Sequence, residues 1–413
     1  MIRMEFGRIM LRQFIGITSQ KTKNLKVLYR FIRQWGPIGV KTLSEMTGYK
    51  PTTCARLLDE LVQAGLIHDS GLGESSGGRK PLMYVIRPDA FYLIGVELTN
   101  LYTTVLLLDL NLTILGTEKL KMDSQCTAQY TLDYVSRCIN ELLAKHDIPA
   151  EKMLGIGVGV LDPVDLERGI IVDSHLFPAD GWHDFNLVKY LEQKNDTLVF
   201  LDNGTNLAAL AEYRLNYWKE TDSLVFVSSD MGIRSSMILK GKLVHQINEM
   251  DDALGHMILD IHGRRCTCGA YGCLQAYSSL PAIHHEVIHR LKRGQTSMLQ
   301  QNMDADKVDF HHILEAMDGQ DSLCLEVVKE AAYYFGIGLA NLIFMLRPDI
   351  VICGGTLVPK PLFYEEASRT AHERVAIYPN CQVKIVQSST AYNIVAQGAG
   401  CMVLDYFTST EIK

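Results

Sequence analysis

Residues 255–274 read Gly255-His256-Met257-Ile258-Leu259-Asp260-Ile261-His262-Gly263-Arg264-Arg265-Cys266-Thr267-Cys268-Gly269-Ala270-Tyr271-Gly272-Cys273-Leu274. Three cysteines, Cys266, Cys268 and Cys273, fall within eight residues, and His256 stands ten positions before the first. Three thiolates and one imidazole make a closed tetrahedral set for Zn²⁺, and a full shell leaves no position open for an activated water. The pattern therefore predicts a structural metal held by His256, Cys266, Cys268 and Cys273. A cluster of buried free thiols is the alternative. Gly269 and Gly272 favour the metal, because they permit the tight turns that aim three sulfurs at one point.

This spacing, His-x9-Cys-x-Cys-Gly-x-x-Gly-Cys-Leu, is similar to the zinc signature of the ROK family, which comprises bacterial sugar-responsive repressors and sugar kinases. The resemblance implies an α/β fold: an N-terminal winged helix-turn-helix plus a two-lobed, actin-like ATPase body. Its expected segments are a DNA-binding domain over 1–88, a first lobe over 89–202 joined by a C-terminal helix at 396–410, and a second lobe over 203–395 carrying the metal motif.

A chain of 413 residues, 47% of them apolar, is long enough for two or three domains with substantial cores. No uncharged apolar run approaches the ~20 residues of a membrane helix. The N-terminal stretch mixes charges early and lacks a signal-peptide pattern, so a cytoplasmic protein without membrane insertion is expected. Seven of the ten cysteines (54, 126, 138, 324, 353, 381 and 401) are scattered singly in apolar contexts, as reduced core thiols are. The net charge of −7 is unevenly spread: residues 1–90 hold 14 Lys and Arg against 7 Asp and Glu, and the remainder 26 against 40. A basic module on an acidic body points to nucleic-acid contact at one end.

Within that module, residues 24–35 place Val27, Leu28, Phe31 and Ile32 on one helical face, and Gly36-Pro37 ends the helix. A short helix over 41–47, a turn at Gly48-Tyr49-Lys50 and a second helix over 51–64 opening on Pro51 form a helix-turn-helix signature. Leu57, Leu58, Leu61 and Val62 are its buried stripe. Lys50, Thr52, Thr53 and Arg56 sit where a recognition helix meets the major groove. Strands are expected at 64–68 and 83–86, and the Gly-rich loop between them, with Gly78 and Arg79 at its basic tip, reads as a wing for the minor groove. Gly77-Gly78-Arg79-Lys80-Pro81 also resembles the wing of ROK repressors, a module that the kinase branch normally lacks.

The remainder alternates strands and helices. Strands are expected at 91–96, 103–110, 154–161, 198–201, 223–228, 236–239 and 350–353. Helices are expected at 128–145, 207–218, 281–292, 322–346 and 396–407. In ROK kinases the first phosphate loop is Asp-x-Gly-Gly-Thr; the matching residues here are Glu97, Leu98, Thr99, Asn100 and Leu101, without either glycine. The second loop, Gly-Thr-Gly-Ile-Gly-x-Gly in the family, is Asp230-Met231-Gly232-Ile233-Arg234-Ser235-Ser236, and Asp230 adds a carboxylate where phosphate would sit. The turn Cys353-Gly354-Gly355-Thr356 survives, as an adenosine contact or as a plain strand-to-helix turn. ATP binding is not expected.

Phosphorylating a sugar hydroxyl needs a carboxylate to accept its proton. The family places it last in Asp-Asn-Asp; here the turn is Asp202-Asn203-Gly204. Other family sugar contacts have become Ala253, Gln275 and Leu161-Asp162, while Asn203 and His256 remain. The resemblance implies an effector set of Asn203, His256, Asp162 and Gln275 for a sugar or sugar phosphate, and no catalytic residue. The expected function is a DNA-binding transcriptional regulator, a repressor of carbohydrate genes, that meets a double-stranded operator as a homodimer or tetramer. An active ROK sugar kinase, and a regulator controlled by a protein partner on the ROK body, are the alternatives.

Overall fold

The computed structural model describes residues 11, 14, 19–73, 80–160, 163–172, 177–244, 253–301, 304–389 and 393–408. Helix α1 (Gln20–Trp35) is capped by the Ser19 hydroxyl, which accepts from the Thr22 N–H. Strand β1 (Ile38–Gly39), helices α2 (Val40–Thr47) and α3 (Pro51–Gln63), and strands β2 (Ile67–Leu72) and β3 (Leu82–Ile86) follow. Gly48 ends α2 in the left-handed region, at φ 72°, the conformation a three-residue inter-helix turn needs. The three strands form one sheet in the order β1-β3-β2.

Three details differ from expectation. The buried row of α1 is Leu25, Leu28, Tyr29 and Ile32, with Val27 and Phe31 on its half-buried flanks, because α1 packs against both α3 and the last helix of the chain. In α3 the row is Cys54, Leu57, Leu58 and Leu61, with Val62 only half-buried. The strand expected from residue 64 starts at Ile67, since Gly65 takes a positive φ of 72°.

The body continues with β4 (Tyr92–Leu98), β5 (Tyr102–Asp109), β6 (Ile114–Lys121), α4 (Ala128–Lys145), β7 (Met153–Val160), α5 (Leu187–Asn195), β8 (Val199–Asn203) and α6 (Gly204–Glu212). Residues Tyr213–Tyr217 then wind as a π-helix. The second half has β9 (Ser223–Ser229), β10 (Ile233–Leu239), β11 (Lys242–Val244), α7 (Leu280–Lys292), α8 (Phe310–Asp318), α9 (Ser322–Leu346), β12 (Ile350–Gly354), α10 (Pro361–Val375), β13 (Lys384–Gln387) and α11 (Ile394–Thr408). The sheet orders are β8-β7-β4-β5-β6 and β11-β10-β9-β12-β13. Each is an antiparallel meander extended by two parallel strands, so both halves repeat one topology.

Contacts divide the chain into two compact units, residues 1–220 with 393–413, and Thr221–Tyr392. The expected boundaries after 88 and 202 do not coincide with this division. One apolar core joins Leu28, Ile32 and Leu58 of the N-terminal module to Leu93, Leu106, Leu404 and Phe407 of the first lobe. Helix α6 lies along α11, which covers β4 and β7. A Cβ on Gly157 of β7 would meet the Ala399 carbonyl oxygen of α11 at 2.1 Å, so that close approach requires glycine.

In the second unit the core gathers around α9, including Leu323, Val327, Phe335, Leu339 and Ile343. This helix of 25 residues is long and apolar enough to cross a membrane by length and composition alone, although most of its apolar window is buried within the unit.

Candidate functional site

The metal motif occupies a chain of tight turns. Cys266 N–H donates to the Ala270 carbonyl (2.8 Å), Gly269 N–H to the Cys266 carbonyl (3.0 Å) and Gly272 N–H to the Arg264 carbonyl (2.8 Å). Gly269 and Gly272 have φ of 92° and 72°. At Gly272 any side chain is doubly excluded, because a Cβ would meet the Asp260 carbonyl oxygen at 1.6 Å. These turns bring His256, Cys266, Cys268 and Cys273 together, with all four ligand atoms within 4.8 Å of one another. Cys268 and Cys273 sulfurs are 3.8 Å apart, as are Cys266 Sγ and His256 Nδ1. A tetrahedron with arms of ~2.3 Å has sulfur–sulfur edges of about 3.8 Å, so the donor set fits a four-coordinate ion.

Burial opposes ionisation of Cys266, but hydrogen bonds from the Cys268 backbone, Gln275 and the neighbouring thiols bring its pKa below the ordinary thiol value. Cys273 is pushed up by burial and by its sulfur neighbours. Three thiols this close favour ionising one at the expense of the next, until a cation compensates the charge.

The cluster is tied to its unit by Arg264. Its backbone N–H donates to Tyr277 Oη (2.9 Å), its guanidinium lies over the Tyr277 ring, and it pairs with Glu286 of α7 and Glu330 of α9 at 3.1 Å each. Gln275, expected among sugar contacts, directs its amide nitrogen to Cys266 Sγ (3.4 Å) and Thr267 Oγ1 (3.2 Å).

In the N-terminal module, α2, the turn at Gly48 and α3 place Lys50 at the N-cap of α3. Lys50, Thr52 and Arg56 are exposed and Thr53 is half-buried, on the side opposite Cys54, Leu57, Leu58 and Leu61. Gly78 and Arg79 of the expected wing tip lie outside the described residues. The strands β2 and β3 that would carry the wing are antiparallel partners.

The turn Asp202-Asn203-Gly204 closes β8 and starts α6. Asn203 Oδ1 accepts from the Thr205 N–H (2.8 Å), capping the helix, and Gly204 is its first residue. Asp202 is buried and its Oδ1 accepts from the Asn203 N–H (2.7 Å) and the Asn206 amide (2.8 Å). Its carboxylate thus braces the first turn of α6. Asp162 lies outside the described residues. Of the remaining effector candidates, His256 and Gln275 lie together at the metal cluster, and Asn203 belongs to the other unit.

The two segments aligned with the family's phosphate loops are both held by hydrogen bonds, the first within itself and the second to the Gly354-Gly355-Thr356 turn. Thr99 Oγ1 accepts from the N–H groups of Leu101 (3.2 Å) and Tyr102 (2.9 Å), using donors that an anion would need. Glu97, which starts that stretch, is pushed up to about 7 by burial, offset only partly by Lys119. Asp230 Oδ1 accepts from both the backbone N–H (2.8 Å) and the hydroxyl (2.6 Å) of Thr356 in the Gly354-Gly355-Thr356 turn. Burial raises the Asp230 pKa and the two Thr356 hydrogen bonds counter it. The sequence itself places a carboxylate at the second loop, but its contact with the third turn joins residues 126 positions apart and has no local signal.

The chain matches the sequence model of the ROK family over residues 93–406. It is 27% identical over 391 residues to the xylose repressor of Bacillus subtilis (strain 168), covering 94% of this chain and 97% of that protein. Among solved structures, a ROK family transcriptional regulator described as a homolog of the E. coli MLC protein superposes with a TM-score of 0.76 at 23% identity, over 94% of this chain and 97% of the other. A ROK hexokinase from Thermus thermophilus superposes with a TM-score of 0.63 at 22% identity, over 75% of this chain and 97% of the enzyme.

Proposed function

The chain belongs to the ROK family, and on that premise we propose that it is a DNA-binding transcriptional regulator, a cytoplasmic repressor of carbohydrate genes. Its ROK body senses an effector and assembles the oligomer instead of phosphorylating a sugar. The observation that carries the reading is the second helix of the helix-turn-helix, which presents Lys50, Thr52, Thr53 and Arg56 outward from a fully apolar inner row. Near full-length similarity to a xylose repressor supports a sugar-linked operator. Two-fold-related half-sites, met by a homodimer or tetramer, are the expected arrangement for this mode of groove binding.

The test is binding to the DNA upstream of the protein's own gene. Arg56→Ala is expected to weaken operator affinity ~5–150-fold and relax preference at one or two base pairs, since a bidentate base contact contributes ~1–3 kcal/mol of discrimination. Arg79→Ala should lower affinity with little change in major-groove preference. Unchanged affinity of both variants at physiological salt removes these residues from the interface.

We further read the His256-Cys266-Cys268-Cys273 cluster as a structural Zn²⁺ site. Gln275 then serves the metal, its amide donating to a thiolate ligand. Gln275→Glu would set a carboxylate against that thiolate, so Zn²⁺ affinity is expected to fall ~10–100-fold, the usual effect of losing an outer partner. A competition titration against a chelator measures this, and equal affinities for the two proteins would return Gln275 to the sugar contacts.

A further inference from the structure

The first unit contains a buried ionic joint that the DNA-binding reading does not use. Arg33, in the last turn of α1, donates from Nη1 to Asp405 Oδ1 (2.7 Å) and to Thr408 Oγ1 (3.0 Å) of α11. Arg214, in the π-helix after α6, donates from Nε to Asp405 Oδ2 (2.9 Å) and pairs through Nη2 at 2.8 Å. Both guanidiniums also lie over the Trp218 ring, at 5.0 and 4.3 Å. Gln34 of α1 donates to the Trp218 carbonyl (2.7 Å). The side chains of Arg33 and Arg214 are only 6% and 10% exposed. One carboxylate serving two buried cations is costly to desolvate, so it is a poor device for stability alone.

Its placement suggests what it does. The helical rod carrying Arg214 begins at the Asp202-Asn203-Gly204 turn, runs through α6 and ends at Trp218. Over Tyr213–Tyr217 the rod is a π-helix, a winding that inserts one residue into the helical ladder and recurs at functional sites. Reverting those residues to α-helix would turn Trp218, which follows the segment, about 100° relative to α6, one helical residue, and Arg214 within it by less. The winding of this segment therefore sets where Trp218 lies, and the far end of the rod grips the first helix of the DNA-binding module.

We propose that the π segment Tyr213–Tyr217 and the Arg33–Asp405–Arg214 joint form the switch that couples the Asp202-Asn203-Gly204 turn to the DNA-binding module. This rests on the DNA-binding reading. Because coupling is reciprocal, operator DNA must alter the turn just as an effector at the turn alters DNA affinity. The experiment thus needs no knowledge of the effector.

Hydrogen exchange of the full-length protein is followed by mass spectrometry with a duplex from its own upstream region, and with a scrambled duplex of equal length. In the wild type, the upstream duplex alone is expected to change exchange across 202–217 by about fivefold or more, the lower bound of typical coupling. Arg33→Ala leaves the Asp405–Arg214 pair intact and should fold; it is expected to abolish that change while the duplex still binds. Arg33→Lys, which keeps a cation beside Asp405, should restore part of it. Asp405→Asn is the independent second variant, with exchange in Thr221–Tyr392 reporting on its folding. A change at 202–217 that persists in Arg33→Ala, or that is missing from a wild type shown to bind the duplex, overturns the switch. A wild type that prefers neither duplex refutes the DNA-binding reading instead, and the switch with it.

Discussion

Cys266→Ser is expected to empty the metal site and to lower the thermal midpoint of the protein by ~6 °C or more. Structural zinc contributes an apparent ~10–16 kcal/mol in small zinc-dependent peptides. The Thr221–Tyr392 unit has a core of its own around α9, so only the share that orders the His256–Cys273 turns is at stake. In a domain of this size each kcal/mol shifts the midpoint by ~2–4 °C, which makes even a modest fraction of the zinc term visible. Loss of the ion also leaves thiols crowded at 3.8 Å with no cation to compensate them. Hydrogen exchange should rise over 255–280, including the Arg264 backbone that is bonded to Tyr277. Cys381→Ser, at a cysteine outside the cluster, is the control and should change neither metal content nor midpoint. A purified protein without stoichiometric zinc by elemental analysis, yet with an unchanged midpoint, refutes the zinc assignment.

What was legible in the sequence was what local chemistry dictates. The cysteine spacing and its two glycines announce the cluster, because the turn geometry and three of its four ligands are written within eight residues. Helices 128–145 and 322–346 emerge with the bounds that their apolar periodicity sets. The helix-turn-helix follows from Gly48 and Pro51. Elements held by tertiary contacts were harder to see. Strand β6 lies at a sheet edge with half of its residues exposed, so its residues 114–121 carry no clear apolar alternation. Helix α1 buries a rotated face because its second partner, α11, lies at the other end of the chain. The Arg33–Asp405 pair spans 372 positions and has no local signal at all. Gln275 shows what a family pattern leaves out: the pattern suggests sugar, and its contacts to Cys266 and Thr267 become visible only in space.

No sugar-kinase activity is expected from this protein, and restoring an aspartate with Gly204→Asp should not create it. Phosphoryl transfer depends on positioning the donor and on spreading its charge over preorganised backbone donors and a metal, so a base alone achieves little. At the first loop those donors are already taken, since Thr99 Oγ1 accepts from Leu101 and Tyr102. At the second, Asp230 presents a carboxylate and holds the Thr356 N–H and hydroxyl, which removes two further donors from the adjoining turn. Like charge within ~4 Å costs about 4 kcal/mol at an effective dielectric near 20, roughly a thousandfold in affinity for a phosphate. Asp202, two positions before the family's base, is engaged elsewhere, its carboxylate bracing α6 through Asn203 and Asn206. Calorimetry with Mg-ATP should therefore detect little binding to the wild type or to Gly204→Asp. Asp230→Gly should bind nucleotide better than either, as the repulsion is removed and the Thr356 donors are released. Labelled ATP with a panel of hexoses, pentoses and N-acetylhexosamines reads the chemistry directly. Turnover by the wild type near ordinary enzyme rates, ~1–10³ per second, would overturn the regulator-only reading and make this chain a kinase that carries a DNA-binding module.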